Sequence, residues 1–308
     1  MTRSANRRHE RQFFYKYVSA HTAKTILATR KLRWSSPLRF NDPFDTTQEL
    51  RLNFSDAELG AAVAEEVANL VVEGGPTPDA VHPVLKSVLS GLNEQPNPNL
   101  RRQMAESVRR KSSSGATGGQ IQALAELKQV WSAIVPMLRI LCLSELNDVT
   151  PMWHHYADAY RGAVLQFEAL DELDSVFLMA RPVIYQDTLP AIADKQVWAR
   201  CIVRGDRTAY VNLFTEYQYV KTTTWSYEQE WRLATLARLG DSGLFSDWGF
   251  HPRELSGVYV GPHCSEQDQG EILSLLSHGL EHATAYRARI SGASSKFTFE
   301  AVRKPSVP

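Results

Sequence analysis

Cysteine is scarce: three residues, Cys142, Cys201 and Cys264, in a chain of 308. They are odd in number, widely spaced and form no C-x-x-C pair. That excludes a disulfide framework or a zinc knuckle as the organising device and fits a reducing cytoplasm. No uninterrupted run of about twenty apolar residues occurs, and the first residues lack the apolar core of a leader, so a cytoplasmic protein without a membrane partner is expected. Net charge is missing too. The 34 Lys and Arg balance 34 Asp and Glu, so no global field draws polyanions. Four motifs are absent: the P-loop G-x-x-x-x-G-K-[ST], a strand-linked G-x-G-x-x-G, the G-x-S-x-G elbow and H-E-x-x-H. Their absence removes P-loop, Rossmann, nucleophile-elbow and zincin chemistry.

What is present is the make-up of a globular domain, with 43% hydrophobic and 22% charged residues. Charge is nevertheless uneven. Residues 1–39 carry ten Lys or Arg and one acid, Glu10. A solvated tail through Arg3, Arg7, Arg8 and Arg11 is the simpler reading, and a contact to phosphate the alternative.

Aromatic and β-branched residues at 13–18 predict a first strand, and Ser19 predicts an N-cap for a helix over 21–30. A short strand at 32–35 leads into a Pro- and Asx-rich loop over 36–45, in which Phe40 and Phe44 are expected to be packed anchors beside Asp42 and Asp45. At Ser55 the pattern turns helical with a capping box to Glu58. Helical pieces near 55–72, 79–91, 99–111 and 119–137 define an all-helical insertion, 55–137, whose surface could receive a partner. The small-residue run 112–119 between two of them predicts a site of early proteolysis. Strands return at 138–144, 162–168, 181–185, 257–260, 284–289 and 296–303, with helices at 151–157, 190–203, 207–220 and 266–279. Strict strand–helix alternation is missing. The fold class expected is α+β with a mainly antiparallel sheet, as one domain over 1–308.

The stretch Trp225–Leu233 reads as a strand by its alternation. Trp225, Tyr227, Trp231 and Leu233 then anchor one face, while Glu228, Glu230 and Arg232 project from the other, open one. An edge strand with a salt-bridged outer face has the same pattern.

Chemistry-bearing residues fall into four clusters: Tyr15-Lys16-Tyr17; Asn41-Asp42-Pro43-Phe44-Asp45; Cys142-Leu143-Ser144 with Met152-Trp153-His154-His155-Tyr156; and Glu228-x-Glu230-x-Arg232. Cys142, inside an apolar strand, reads as a small hydrophobe. The succession Y-K-Y, F-N-D-P-F-D, C-x-S, M-W-x-H-Y-A and W-x-Y-E-x-E-W-R resembles an uncharacterised, mostly bacterial family of unknown function. It also resembles a divergent ADP-ribosyltransferase fold with a split antiparallel sheet. Enzymes of that fold carry an Arg or His on a first strand, an aromatic residue or Ser on a middle strand and a catalytic Glu on a later one. The resemblance therefore implies NAD as the substrate cofactor. Tyr15, Lys16, Tyr17, Ser144, Trp153, Tyr156 and Arg232 would bind it, with Lys16 at the diphosphate and Trp153 or Tyr156 against nicotinamide. Glu230 would stabilise the oxocarbenium-like transition state, and Glu228 would orient or deprotonate a protein or nucleic-acid acceptor. Asn41, Asp42, Asp45 and His155 would line the same site, and a toxin or antiviral-defence effector would be the setting. The sequence departs from that pattern at the first strand, where Lys16 or a Tyr stands in place of Arg or His. Two other readings share these residues. Asp42, Asp45, Glu228 and Glu230 could gather a divalent ion for hydrolysis, or the aromatic cleft could hold a nucleotide or nucleic acid without chemistry.

Overall fold

A computed structural model describes residues 3–46, 50, 52, 54–77, 81, 83–94, 97–111, 118–188, 194–206, 211, 215–291 and 296–304. The chain packs as two compact units. The first comprises residues 1–45, 136–185 and 221–308, and the second comprises 46–135 and 186–220.

The first unit is α+β. Its elements are β1 (Phe13–Val18), α1 (Ala20–Thr29), β2 (Lys31–Ser35) and β3 (Leu138–Ser144), then the short helix Thr150–His155, β4 (Ala163–Glu168) and the two-residue strands β5 (Arg181–Pro182) and β6 (Ile184–Tyr185). After the two-residue strand β7 (Val220–Lys221) come β8 (Glu230–Leu236), β9 (Phe245–Gly249), β10 (Leu255–Val260), the helix Glu266–Leu275, β11 (Thr284–Ile290) and β12 (Phe297–Arg303). Among the described residues ten of these strands form one sheet in the order β12-β11-β10-β4-β1-β3-β2-β9, with β8 on β3 and β5 on β8. Only the β10–β11 pair is parallel; the others are antiparallel.

Helix α1 starts where expected. The Ser19 side chain accepts from the Thr22 amide, and Arg30 closes the helix in the left-handed region at φ 56°. Its Ala23, Ile26 and Leu27 pack with Leu141, Leu165 and Val258 of the sheet in the main core. A second apolar cluster joins Tyr17, Trp153 and Tyr259.

The sheet branches at β3. One edge pairs along its whole length with β8, from Leu138↔Leu236 to Ser144↔Glu230. The other edge is shared: β1 meets it at Tyr15↔Ser144 and β2 at Ser35↔Ile140. Strands β1 and β2, joined by α1, thus flank the middle of β3 without either one covering it. Tyr15, Ser144 and Glu230 stand in register across three adjacent strands.

Where β4 begins, two glycines allow close backbone approach. A Cβ at Gly162 would lie 2.1 Å from the Val18 carbonyl oxygen, and one at Gly261 would lie 2.1 Å from that of Tyr160. The Gly261 amide donates to the Gly162 carbonyl at 2.9 Å. Gly162→Ala must push backbone against backbone, and is expected to cost about 1–3 kcal/mol in urea denaturation. An unchanged midpoint would show that the strand ends yield more freely than this packing allows.

The second unit is helical: α2 (Asp56–Glu73), α3 (Pro83–Glu94), α4 (Pro98–Lys111), α5 (Gly118–Ile134) and α7 (Lys195–Arg204), counting Thr150–His155 as α6. Ser55 forms the expected capping box with Glu58. The buried Arg101 guanidinium donates to the carbonyls of Val71 and Leu92, each at 2.7 Å, tying α4 to the ends of α2 and α3. Residues 186–220 belong with these helices, which extends the unit beyond the 55–137 segment read from the pattern. Most of the 112–119 run, and parts of the helices read at 190–203 and 207–220, lie outside the described residues.

Two local expectations fail. Trp225–Leu233 is not one strand: Thr223–Glu228 is a 3-10 turn, Gln229 is left-handed at φ 43°, and β8 begins only at Glu230. The turn is held from β3, because the Ser144 hydroxyl donates to the Glu228 carbonyl at 2.7 Å and the Glu145 amide to that of Gln229 at 3.1 Å. Phe44 is not a packed anchor either, being 55% exposed, whereas Phe40 is half-buried.

Candidate active site

A cleft of about 390 Å³ opens where β1 and β2 part along β3. Its walls come from Tyr15, Lys16 and Tyr17 of β1, Arg33 and Ser35 of β2, Cys142, Leu143 and Ser144 of β3, Glu230 and Arg232 of β8, and the loop residues Arg39, Phe40, Asn41 and Asp45. His155, Tyr156, Lys221 and Glu228 complete it. All four sequence clusters are therefore represented in one cavity.

The floor is a chain of buried charges. Arg232, completely buried, donates from Nη1 to Asp45 Oδ1 at 2.9 Å and from Nη2 to Asp45 Oδ2, gripping that carboxylate with two parallel bonds. Its Nε reaches Glu230 Oε1 at 2.8 Å and its Nη2 reaches Oε2 at 3.0 Å. Lys221 lies between the two glutamates, with Nζ 2.6 Å from Glu228 Oε2 and 3.2 Å from Glu230 Oε2. The Trp225 ring lies 4.7 Å from the same ammonium, and the Phe40 ring 5.4 Å from the Arg232 guanidinium. The Glu230 amide donates to the Tyr185 hydroxyl at 2.7 Å, fixing the start of β8.

The two carboxyls are driven in opposite directions. Burial pushes Glu230 up, but the adjacent Arg232 and then Lys221 outweigh it and hold the group at about 2. At Glu228 burial prevails over the pull of Lys221, and the negative charge of Glu230 adds to it, so its carboxyl is raised above the ordinary value. Burial opposes the charge on Lys221, yet Glu230 and Glu228 keep its ammonium well above the usual lysine range. Neighbouring carboxyls with pKa values pushed apart are the arrangement from which enzymes draw an acid and a base. Burial and Glu230 together push the Cys142 thiol well up, which leaves it a protonated small side chain at neutral pH.

Each residue read from sequence has a definite place. Glu228 and Glu230 do meet, at 3% and 4% exposure, so neither lies on an open strand face. The open-face expectation fails because Glu228 lies in the 3-10 turn before β8, and the ionic contacts with Lys221 and Arg232 cover both carboxylates. Tyr156 donates its hydroxyl to Glu228 Oε1 at 2.6 Å and accepts from Asn41 Nδ2 at 3.2 Å. Lys16 lines the cleft and donates to the Cys142 carbonyl at 2.8 Å, serving part of the β3 edge that β1 and β2 leave open. The Tyr17 hydroxyl is tied to the Leu146 carbonyl at 2.9 Å. The Ser144 hydroxyl is likewise engaged, between Glu228 and Leu146.

Trp153 does not belong to the cleft. It is fully buried against Tyr17 and Phe297, and its ring nitrogen donates to the Asn147 carbonyl at 2.8 Å. A helix that packs Met152 and Trp153 inward turns Tyr156, three residues further on, to the cavity rim. Asp42 does not line the cavity. Its Oδ1 accepts from the Phe44 amide at 2.9 Å, which shapes the loop that delivers Asp45. Lys221, absent from the sequence reading, is central. Its only signal was a Lys seven residues before Glu228 in a Thr-rich segment, too weak to single it out.

Residues 152–233 match the model of DUF2971, a protein family of unknown function. The matched span begins at the helix bearing Tyr156 and ends just beyond Arg232, so it contains Lys221, Glu228 and Glu230. No curated protein and no solved structure matches the chain. No helix among the described residues is long and apolar enough to cross a membrane.

Proposed function

We propose that this cleft cleaves the nicotinamide–ribose bond of NAD, as an ADP-ribosyltransferase or NAD glycohydrolase. The observation that carries the reading is the in-register row Tyr15–Ser144–Glu230 on three neighbouring strands, with Glu228 beside its acidic end. A divergent ADP-ribosyltransferase fold would put its three signature positions on such a row. Departure of nicotinamide leaves positive charge on the ribose, and an ionised carboxylate fixed beforehand lowers the energy of that state without reorganising. Glu230 is such a group, pinned by Arg232 and Lys221. Glu228, its carboxyl raised above the ordinary value by burial, takes in its ionised form the proton of the attacking water or acceptor.

Lys16, Arg33 and Arg39 also line the cavity, and their positive charge suits a diphosphate. The Tyr156 ring lies at the same cavity and offers nicotinamide a face. The metal-hydrolase alternative is less well served. One of its four acids, Asp42, does not line the cavity that holds Asp45, Glu228 and Glu230.

The test is nicotinamide release from NAD by the purified full chain, with and without candidate protein and nucleic-acid acceptors. Glu228→Gln is expected to slow turnover about a hundredfold. Intact NAD after long incubation at high protein concentration would remove the enzymatic reading and leave nucleotide binding.

A further inference from the structure

The proposed reaction asks Glu228 to take a proton from an acceptor, yet both oxygens of the Glu228 carboxylate are already engaged. Its residue is 3% exposed, Oε2 faces the Lys221 ammonium at 2.6 Å, and Oε1 is capped by the Tyr156 hydroxyl at 2.6 Å. At the cavity Tyr156 is the more exposed of the two. That side chain is half-buried, lines the cleft and sits at the C-terminal end of the Thr150–His155 helix, whose Met152 and Trp153 are locked in the core. A phenol oxygen has one proton to give and two lone pairs to receive with. The proton is spent on Glu228 and one lone pair on Asn41 Nδ2 at 3.2 Å. One lone pair is left for a ligand hydroxyl.

We propose that Tyr156 is a catalytic residue, a proton relay between the acceptor and Glu228. This rests on the NAD-cleaving reading and names the route its proton takes. As the C1′–N bond breaks, its electron pair leaves with neutral nicotinamide, and the acceptor oxygen forms the new bond to C1′. The acceptor proton passes to Tyr156 Oη while the Tyr156 proton passes to Glu228 Oε1, leaving a neutral carboxylic acid and an unchanged phenol. Glu228 returns its proton to solvent by the reverse path after product leaves. Lys221 keeps the other Glu228 oxygen occupied, so the proton has one oxygen to reach.

The decisive comparison is a double-mutant cycle on nicotinamide release, using Tyr156→Phe, Glu228→Gln and the pair. Phe keeps the ring and its packing and deletes only the hydroxyl. The relay predicts that Tyr156→Phe lowers kcat about tenfold to a hundredfold with KM for NAD little changed. It also predicts that the double variant is no slower than Glu228→Gln alone, because two groups acting in series are not additive. Additive losses, a change confined to KM, or an unaffected rate would overturn the relay while wild-type turnover kept the function. Absence of nicotinamide release by the wild type overturns both.

Discussion

Arg232→Leu is expected to cost about 3–5 kcal/mol of stability, the largest loss from any single substitution in the cleft. Arg232 is wholly buried between Asp45 and Glu230, which are 4% exposed each. Leucine fills much of the volume but leaves two carboxylates in a medium that solvates them poorly, with Lys221 left to offset their charge. The loss is therefore one of stranded charge. Urea denaturation at neutral pH reads it, and Arg232→Lys separates charge from shape: lysine restores the cation but not the two-pronged grip on Asp45. It should recover part of the stability. A midpoint for Arg232→Leu equal to that of the wild type would mean that the network is open to water, contrary to its burial.

Glu230→Gln should lower nicotinamide release about a hundred- to a thousandfold, the usual consequence of deleting one preorganised electrostatic contact. Gln keeps the shape and a carbonyl oxygen for Arg232, so folding should survive, although the variant is not stability-neutral as an open-face residue would be. The pH dependence gives an independent check. Glu230 is held at about 2 against an ordinary 4.5, so its ionised form contributes stability above about pH 4.5 that is lost as the pH falls towards 2. The raised Glu228 carboxyl has the opposite sign and favours the folded state as the pH drops through its own range. The variant should accordingly show a shallower loss of stability in acid than the wild type below about pH 4.5. Normal turnover with a sharply lowered melting temperature would identify Glu230 as structural.

Local signals carried much of the fold. Ser19 and Ser55 announce helices because a hydroxyl before a helical run has backbone amides to accept from. The run at 13–18 reads as a strand through its aromatic and β-branched residues, and that at 138–144 as a short, largely apolar run. The turn at 223–228 was illegible for the opposite reason. Its aromatic spacing imitates a strand, and the left-handed residue that ends it is Gln229, not the Gly or Asn that would mark such a position. What holds it is tertiary, two hydrogen bonds from the end of β3. The same limit applies to the cleft. Glu228, Glu230, Arg232 and Tyr156 stand out by type and spacing. That Trp153 faces inward, or that Lys221 lies between two acids, depends on packing far along the chain. Residues 186–220 join the helical unit by such packing too.

The burial of the Asp45–Arg232–Glu230–Lys221–Glu228 chain also decides which charges small ions in solution can reach. Salt screens exposed charges over about 8 Å in physiological conditions, and acts much less on pairs closed off from water. Arg33 and Arg39 at the rim are exposed, and Arg33 shares its charge with Asp247 at 2.9 Å, also in contact with solvent. Ionic strength therefore acts on the rim, where an anionic ligand is first attracted. The field across the floor is set by the folded chain itself, so the polarisation that a bound molecule feels changes far less with salt than the attraction at the rim does.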